Sequence, residues 1–319
     1  MKKRLIVTRR LPAEVEARAA RDYDAWLNVE DRQLTTDEVV ALAKDADALL
    51  VCLTEKLPAA AIAQLPDRVK VISTFSVGYE HIDIAAAARR GIAVGNAPNG
   101  VTIATAEIAL LLMLGAMRRA PEGEKLIRER QWSGWAPMML LGRRLDGKRL
   151  GILGLGKIGQ AVAKRARAFD MAIHYHSRTR RPPSEELGAV YHDTLDGLLA
   201  VSDVLSVNAP ATPETRHIIN ARTLAKLPRG ATVINTARGD LVDDEALIAA
   251  LRSGQVGYAG LDVFAGEPKH HPAYLDLDNV FLLPHMGTSA MEARIEMGNE
   301  ALDNVDACFS GNPLPHKVA

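Results

Sequence analysis

Gly154-Leu155-Gly156-Lys157-Ile158-Gly159 directly follows the apolar run Arg149–Leu153 and opens a segment whose apolar stripe is Ile158, Ala161, Val162, Ala166 and Phe169. In a strand-turn-helix setting the first glycine permits the tight turn and the second lets backbone approach a pyrophosphate. The third lets helix and strand pack closely. Backbone N–H groups and the positive end of the helix dipole then face the anion. The chemistry predicted is binding of a dinucleotide cofactor, with Gly154, Gly156, Lys157, Ile158 and Gly159 around the phosphates.

The second strand decides which dinucleotide. NAD sites usually place an Asp or Glu about 20 residues beyond the glycines, on the ribose hydroxyl. Here that stretch reads His174-Tyr175-His176-Ser177-Arg178-Thr179-Arg180-Arg181 and contains no acid. A carboxylate would repel a 2′-phosphate, whereas Arg178 and the hydroxyls of Ser177 and Thr179 offer charge-assisted hydrogen bonds. NADP(H) is the preferred cofactor on this reading and NAD(H) remains open; the alternative is that the arginines form a solvated loop.

Three more polar residues follow apolar strands, at the carboxyl ends where a doubly wound sheet binds its ligands. Arg238 lies in Asn235-Thr236-Ala237-Arg238-Gly239, Glu267 in Gly266-Glu267-Pro268 and His285 in Pro284-His285-Met286-Gly287. Each alone reads equally as a surface Arg, a turn Glu or a core His. Downstream of a dinucleotide turn, the three together match a reaction.

The elements that must position these groups are legible as an alternation. Apolar or β-branched runs at 4–7, 47–53, 69–75 and 91–95, with a weaker one at 25–29, read as strands separated by helices. A long apolar helix at 101–117 follows, and residues 119–147 then show no clean period. A second series of strands at 149–153, 171–176, 204–208, 232–235, 258–262 and 280–283 precedes one closing helix at 289–309. Such βα repeats imply parallel sheets covered on both faces. The expected fold class is α/β with two doubly wound domains, the first discontinuous because the closing helix returns to it.

Composition narrows the function. At about 150 residues per domain, 319 residues suggest two domains, and 48% apolar residues supply two cores. Lys plus Arg and Asp plus Glu balance at 39 each, and aromatics are only 4%. Nucleic acid is therefore not an expected partner. Cys52 and Cys308 form no disulfide or metal motif. With no signal-like or membrane-length apolar run, no membrane partner is expected and cytoplasm is the expected location.

Through GLGKIG, NTARGD, LDVFAGEP and PHMGTS in order, the chain resembles the D-isomer-specific 2-hydroxyacid dehydrogenases along essentially its whole length. The resemblance implies a flavodoxin-like substrate domain at 1–100 and 287–319, a Rossmann dinucleotide-binding domain at 101–286, and an active-site cleft between them. It also implies homodimers, with residues 119–147 as a dimerisation arm. The implied reaction reduces a small 2-keto acid to a D-2-hydroxy acid by hydride transfer. Arg238 offers a planar fork for the carboxylate and polarises the carbonyl. His285 donates the proton, since an imidazole's ordinary pKa of about 6.5 lies near working pH. Glu267, paired with the other ring nitrogen, orients the ring and favours the imidazolium.

Other positions carry over by the same resemblance. Val77 and Gly78 match the loop whose N–H groups meet the substrate carboxylate, although a plain strand-to-helix turn is the alternative. Thr102 matches a hydroxyl near the cofactor, and Ala209, Pro210, Thr236, Ala237, Asp262 and Gly287 match positions lining its adenine and nicotinamide sides. His285 counts among the cofactor contacts as well. Glu80 stands where Asp is common, and Gly287-Thr288-Ser289-Ala290 in place of Gly-Ser-Ala-Thr; both changes keep size or polarity and leave the implied mechanism intact. His176 in place of the usual acid is the larger departure.

Trp132-x-Gly134-Trp135-x-Pro137, then Leu141-Gly142, resembles the glyoxylate and hydroxypyruvate reductase branch. Trp135 is read either as a core residue or as an indole that narrows a partner subunit's cleft. Two alternatives stay open: a 2-ketogluconate-type reductase, and a non-enzymatic dinucleotide-sensing binding protein of the same fold. No metal is required by the implied reaction, and His270-His271 reads as surface.

Overall fold

Parallel strands covered on both faces bury mostly apolar residues, and the central strands of this chain do so, with the few polar side chains among them, such as Ser73, Thr74, Ser206 and Thr232, buried as well. In the computed structural model, which describes residues 1–318, the chain divides into two units: Met1–Val101 with the chain from Thr288 onward, and Thr102–Gly287.

The first unit holds β1 (Arg4–Val7), β2 (Asp24–Leu27), β3 (Ala48–Val51), β4 (Val71–Thr74) and β5 (Ala93–Gly95), all parallel, in the order β2-β1-β3-β4-β5. That is the flavodoxin-like order. Every residue of β3 and β4 is buried, whereas the edge strand β2 is partly exposed. Val39, Ile62 and Ala87, from helices Thr36–Leu42, Ala59–Gln64 and Ile84–Arg89, share a core with Ile6, Leu49 and Ile72. Helix Met291–Phe309 packs on β4 and on helix Ala13–Asp22. Asn304 anchors it: its buried amide donates to the Asn96 carbonyl at 2.9 Å and its oxygen accepts from the His316 N–H at 3.1 Å.

The second unit holds β6 (Arg149–Leu153), β7 (Ala172–His176), β8 (Val190–Tyr191), β9 (Val204–Val207), β10 (Ala231–Asn235), β11 (Val256–Leu261) and β12 (Val280–Leu282). All are parallel, in the order β12-β11-β10-β9-β6-β7-β8. This is the Rossmann order with one added edge strand. Helix Val101–Met117 buries Ala106, Leu112 and Met113 beside Ile152, Val162 and Ile173, while Ile103, Glu107 and Leu111 line its exposed side.

Two elements differ from the sequence reading. Residues 119–147 contain a regular helix, Ala120–Arg128, with no buried residue. Its only bulky apolar residues, Leu126 and Ile127, are adjacent, too few to mark a helical period in the sequence. The two-residue strand β8 is too short to show alternation. Beyond that helix, Trp132, Met138 and Leu141 are exposed, and Trp135 is 78% exposed, so within one chain its indole is not a core residue. Among the described residues no single helix is long and apolar enough to cross a membrane.

Candidate active site

The glycine turn sits where β6 ends. Gly154 takes a left-handed φ of 95°, and a Cβ there would lie 2.9 Å from the Asn208 carbonyl at the end of β9. A Cβ on Gly159 would strike the Gly154 carbonyl, so helix Lys157–Arg167 approaches the turn as closely as backbone allows. Gly156 differs: a Cβ there would meet nothing within 4 Å, and no side-chain cap closes the start of the helix it precedes. The turn thus presents an open face at a helix N-terminus, the geometry that receives phosphate.

The end of β7 is only partly as read from the sequence. The Ser177 hydroxyl accepts from the Leu155 N–H at 2.9 Å, and Arg181 donates to the Leu155 carbonyl at 2.9 Å, so both brace the glycine turn. Arg180 pairs with Glu186 at 2.8 Å and lies over the Tyr191 ring. Arg180 and Arg181 therefore serve the fold, and of the three arginines in this stretch only Arg178 is left without such a role. Its guanidinium and Thr179 are exposed, and Arg178 has no ion-pair or hydrogen-bond partner among the described residues. His176 donates from Nδ1 to the His192 carbonyl at 2.9 Å, and no acid stands in its place.

β10, β11 and β12 deliver the remaining groups side by side. At the end of β10, Asn235 accepts from the Ala237 N–H at 3.0 Å and donates to the Arg238 carbonyl at 2.9 Å, locking the Thr236–Arg238 backbone. Arg238 donates to the Ala237 carbonyl at 2.8 Å and makes no ion pair among the described residues. Beyond β12, Nδ1 of His285 lies 2.6 Å from Oε2 of Glu267, whose Oε1 accepts from the Phe264 N–H at 2.8 Å. Burial pushes the Glu267 carboxyl up, but the hydrogen bonds from His285 and Phe264 and the charges of His285 and Arg238 outweigh it. The net result lies below the ordinary value. With Nδ1 committed to an ionised carboxylate, Nε2 is the nitrogen left for proton exchange.

Asp262 is almost wholly buried at the end of β11. Its two carboxylate oxygens accept from the Met286 and Gly287 N–H groups at 2.8 and 2.7 Å. Burial raises its pKa, partly offset by those two hydrogen bonds. Thr236 and Asn208, at the ends of β10 and β9, each hold a buried side-chain oxygen with no partner, Oγ1 and Oδ1 respectively. Ala209, Pro210 and Ala237 flank them in partly open positions, and Thr102 is half-buried at the start of its helix.

In the first unit, Val77 and Gly78 lie in the loop after β4. The carbonyl of Val77 accepts from the Asn96 amide at 2.8 Å and that of Gly78 from the Ser76 hydroxyl at 2.6 Å. The N–H groups of Val77 and Gly78 donate to no described residue.

Residues 110–287 match the family model for the D-isomer specific 2-hydroxyacid dehydrogenase, NAD binding domain. The chain belongs to the D-isomer-specific 2-hydroxyacid dehydrogenases. Among relatives of this family, the chain is 52% identical to a glycerate dehydrogenase of Hyphomicrobium methylovorum, covering 100% of this chain and 99% of that protein. It is 39% identical to a glyoxylate reductase of Thermococcus litoralis, covering 100% and 97%. A solved structure of an NADPH-dependent glyoxylate/hydroxypyruvate reductase from Sinorhizobium meliloti, in complex with NADP and malonate, superposes with a TM-score of 0.87 at 34% identity, covering 100% and 97%.

For a 2-hydroxyacid dehydrogenase a nicotinamide dinucleotide is implied, and the residues fit one. The open face at Gly156 has room for a pyrophosphate, and the partnerless oxygens of Thr236 and Asn208 await polar groups. Sequence reading missed Asn208, Asn235 and Phe264. An Asn closing an apolar strand was a usable signal for the first two, but a backbone N–H such as that of Phe264 leaves no trace in residue type.

Proposed function

We propose that the chain is an NADPH-preferring reductase of small 2-keto acids, glyoxylate and hydroxypyruvate among them, giving D-2-hydroxy acids. The observation that carries this reading is the 2.6 Å pairing of His285 with Glu267, together with an Arg238 that makes no ion pair among the described residues and whose charge reaches the same Glu267 carboxylate. Carbonyl reduction needs a held carboxylate, a polarised oxygen and a proton. Arg238 binds the carboxylate and draws electron density onto the carbonyl oxygen. His285 delivers the proton from Nε2 to that oxygen, and Glu267 stabilises the cation before transfer and keeps the ring aimed. The N–H groups of Val77 and Gly78 bind the carboxylate. A bound dinucleotide supplies the hydride.

Gly154, Gly156, Lys157, Ile158 and Gly159 would hold its pyrophosphate, Arg178 with Thr179 its 2′-phosphate, and Ala209, Pro210, Thr236, Ala237, Asp262 and Gly287 would line its two ends, with Thr102 nearby. Preference for NADPH rests on Arg178, which makes no ion pair among the described residues although its charge reaches the Glu214 carboxylate, and on the absence of an acid at His176. The names of the relatives support glyoxylate and hydroxypyruvate, since a glycerate dehydrogenase acts on the reduced partner of hydroxypyruvate. Exposed Trp132, Trp135, Met138 and Leu141 all lie on the arm at 119–147 and support a homodimer in which the partner subunit covers them. Cytoplasm is the location assigned with this function.

The test is NADPH and NADH oxidation with glyoxylate, hydroxypyruvate, pyruvate and 2-ketogluconate. Highest kcat/KM with NADPH on the first two is expected. Preference for 2-ketogluconate would replace the substrate assignment, and no turnover on any 2-keto acid would favour a dinucleotide-sensing protein.

A further inference from the structure

The loop after β4 carries an arrangement that residue types alone do not reveal. Ser76 and Val77 are consecutive, yet both carbonyls are gripped by one segment beyond β5: that of Ser76 by the Ala97 N–H at 2.9 Å, and that of Val77 by the Asn96 side chain at 2.8 Å. In extended backbone successive carbonyls point to opposite sides. Here both are drawn to the same side. These peptides are trans, and in a trans peptide the N–H of the next residue points opposite to the carbonyl. The N–H groups of Val77 and Gly78 therefore turn together away from Asn96 and Ala97, a concavity of donors suited to an anion.

A second device fixes the following peptide. The Ser76 hydroxyl donates to the Gly78 carbonyl at 2.6 Å, so its single proton is committed, and Thr74, 2.7 Å away, must be the donor to Ser76. Thr74 then accepts from Nε2 of His81 at 3.0 Å. Nδ1 of His81 is buried without a partner, which leaves the ring neutral with its proton on Nε2. The chain His81 to Thr74 to Ser76 to Gly78 has one direction, and all three side chains are buried.

We propose that Asn96 and Ser76 are positioning residues that aim the paired N–H groups of Val77 and Gly78 at the carboxylate of the 2-keto acid. This rests on the reading above that the loop receives a carboxylate. Both residues act through backbone carbonyls, so their loss weakens the grip on the anion and leaves the dinucleotide and the proton donor in place.

The test uses the holoenzyme with oxalate, a carboxylate inhibitor that cannot be reduced. Asn96→Ala is expected to raise the oxalate Ki and the KM for glyoxylate in parallel, by about tenfold, the loss of one hydrogen bond. The NADPH Kd, measured by fluorescence without substrate, should stay unchanged. Ser76→Ala should act in the same direction, and Ser76→Thr, which retains the hydroxyl, should restore most of the affinity. Should Asn96→Ala fail to fold, the Ser76 pair reads the same quantity. An unchanged oxalate Ki in the alanine variants, an equal loss of NADPH affinity, or equal losses in Ser76→Ala and Ser76→Thr would each overturn the assignment. A wild-type protein that turns over no 2-keto acid yet binds oxalate in an Asn96-dependent way would instead remove the reductase reading and keep the anion site.

Discussion

The backbone N–H of His285 donates to the carbonyl of Asp262 at 2.8 Å, and the carboxylate of the same Asp262 takes the next two N–H groups. His285 needs this support because its φ is 52°, a left-handed conformation that costs a side-chain-bearing residue about 1–3 kcal/mol. One buried residue thus holds three successive peptides and sets the ring's position.

Asp262→Ala should therefore lower kcat by about 10²-fold, as expected when a catalytic group is displaced by about 1 Å. Thermal melting should show a loss of stability as well. Unchanged kcat in steady-state assays would show that the turn holds itself.

His285→Ala should lower kcat by about 10²–10⁴-fold with a modest change in cofactor affinity. Glu267→Gln keeps the size and an oxygen for the Phe264 N–H but removes the negative charge beside Nδ1. It should lower kcat without the same loss in NADPH binding. A pH profile of kcat should shift in Glu267→Gln, because the wild-type carboxyl, held below its ordinary range, stays ionised as the medium becomes mildly acidic. A coincident profile would remove Glu267 from the proton-transfer assembly.

Arg178→Ala should raise the KM for NADPH by about tenfold or more and leave that for NADH nearly unchanged, since only the 2′-phosphate distinguishes them. Parallel changes in both would place Arg178 outside the cofactor site.

His81 gives an acid-stability prediction. Burial, and secondarily the charge of Lys56, hold its pKa down to about 4, while Glu80 opposes them weakly. Between about pH 6.5 and pH 4 the unfolded chain binds a proton that the folded chain refuses, so stability falls as pH falls through that window, by up to about 3 kcal/mol. Urea midpoints at pH 7 and pH 4.5 should converge for His81→Gln, which keeps a donor for Thr74 but cannot titrate. Equal acid losses in both proteins would assign the effect elsewhere.

Much of the fold is legible because burial on both faces of a parallel sheet forces continuous apolar runs, and helices between them restore a polar period. Helix Ala120–Arg128 is not legible because its only bulky apolar residues, Leu126 and Ile127, are adjacent, and β8 is not because it has two residues. At the site, residue types mark Arg238, Glu267 and His285, while Arg180 and Arg181 look equivalent to Arg178 until Glu186 and the Leu155 carbonyl are seen to occupy them.

The α/β class and the glycine turn are written in residue order alone, because both depend on local backbone geometry and on hydrophobic period. Which residues meet follows from how the chain folds back on itself. Asp262 and Gly287 are 25 residues apart, Asn96 and Val77 19 apart, and Glu267 and His285 18 apart. Adjacent parallel strands bring their carboxyl ends together whatever lies between them, and hydrogen bonds between the loops there depend on angles and on backbone groups that residue identity does not encode.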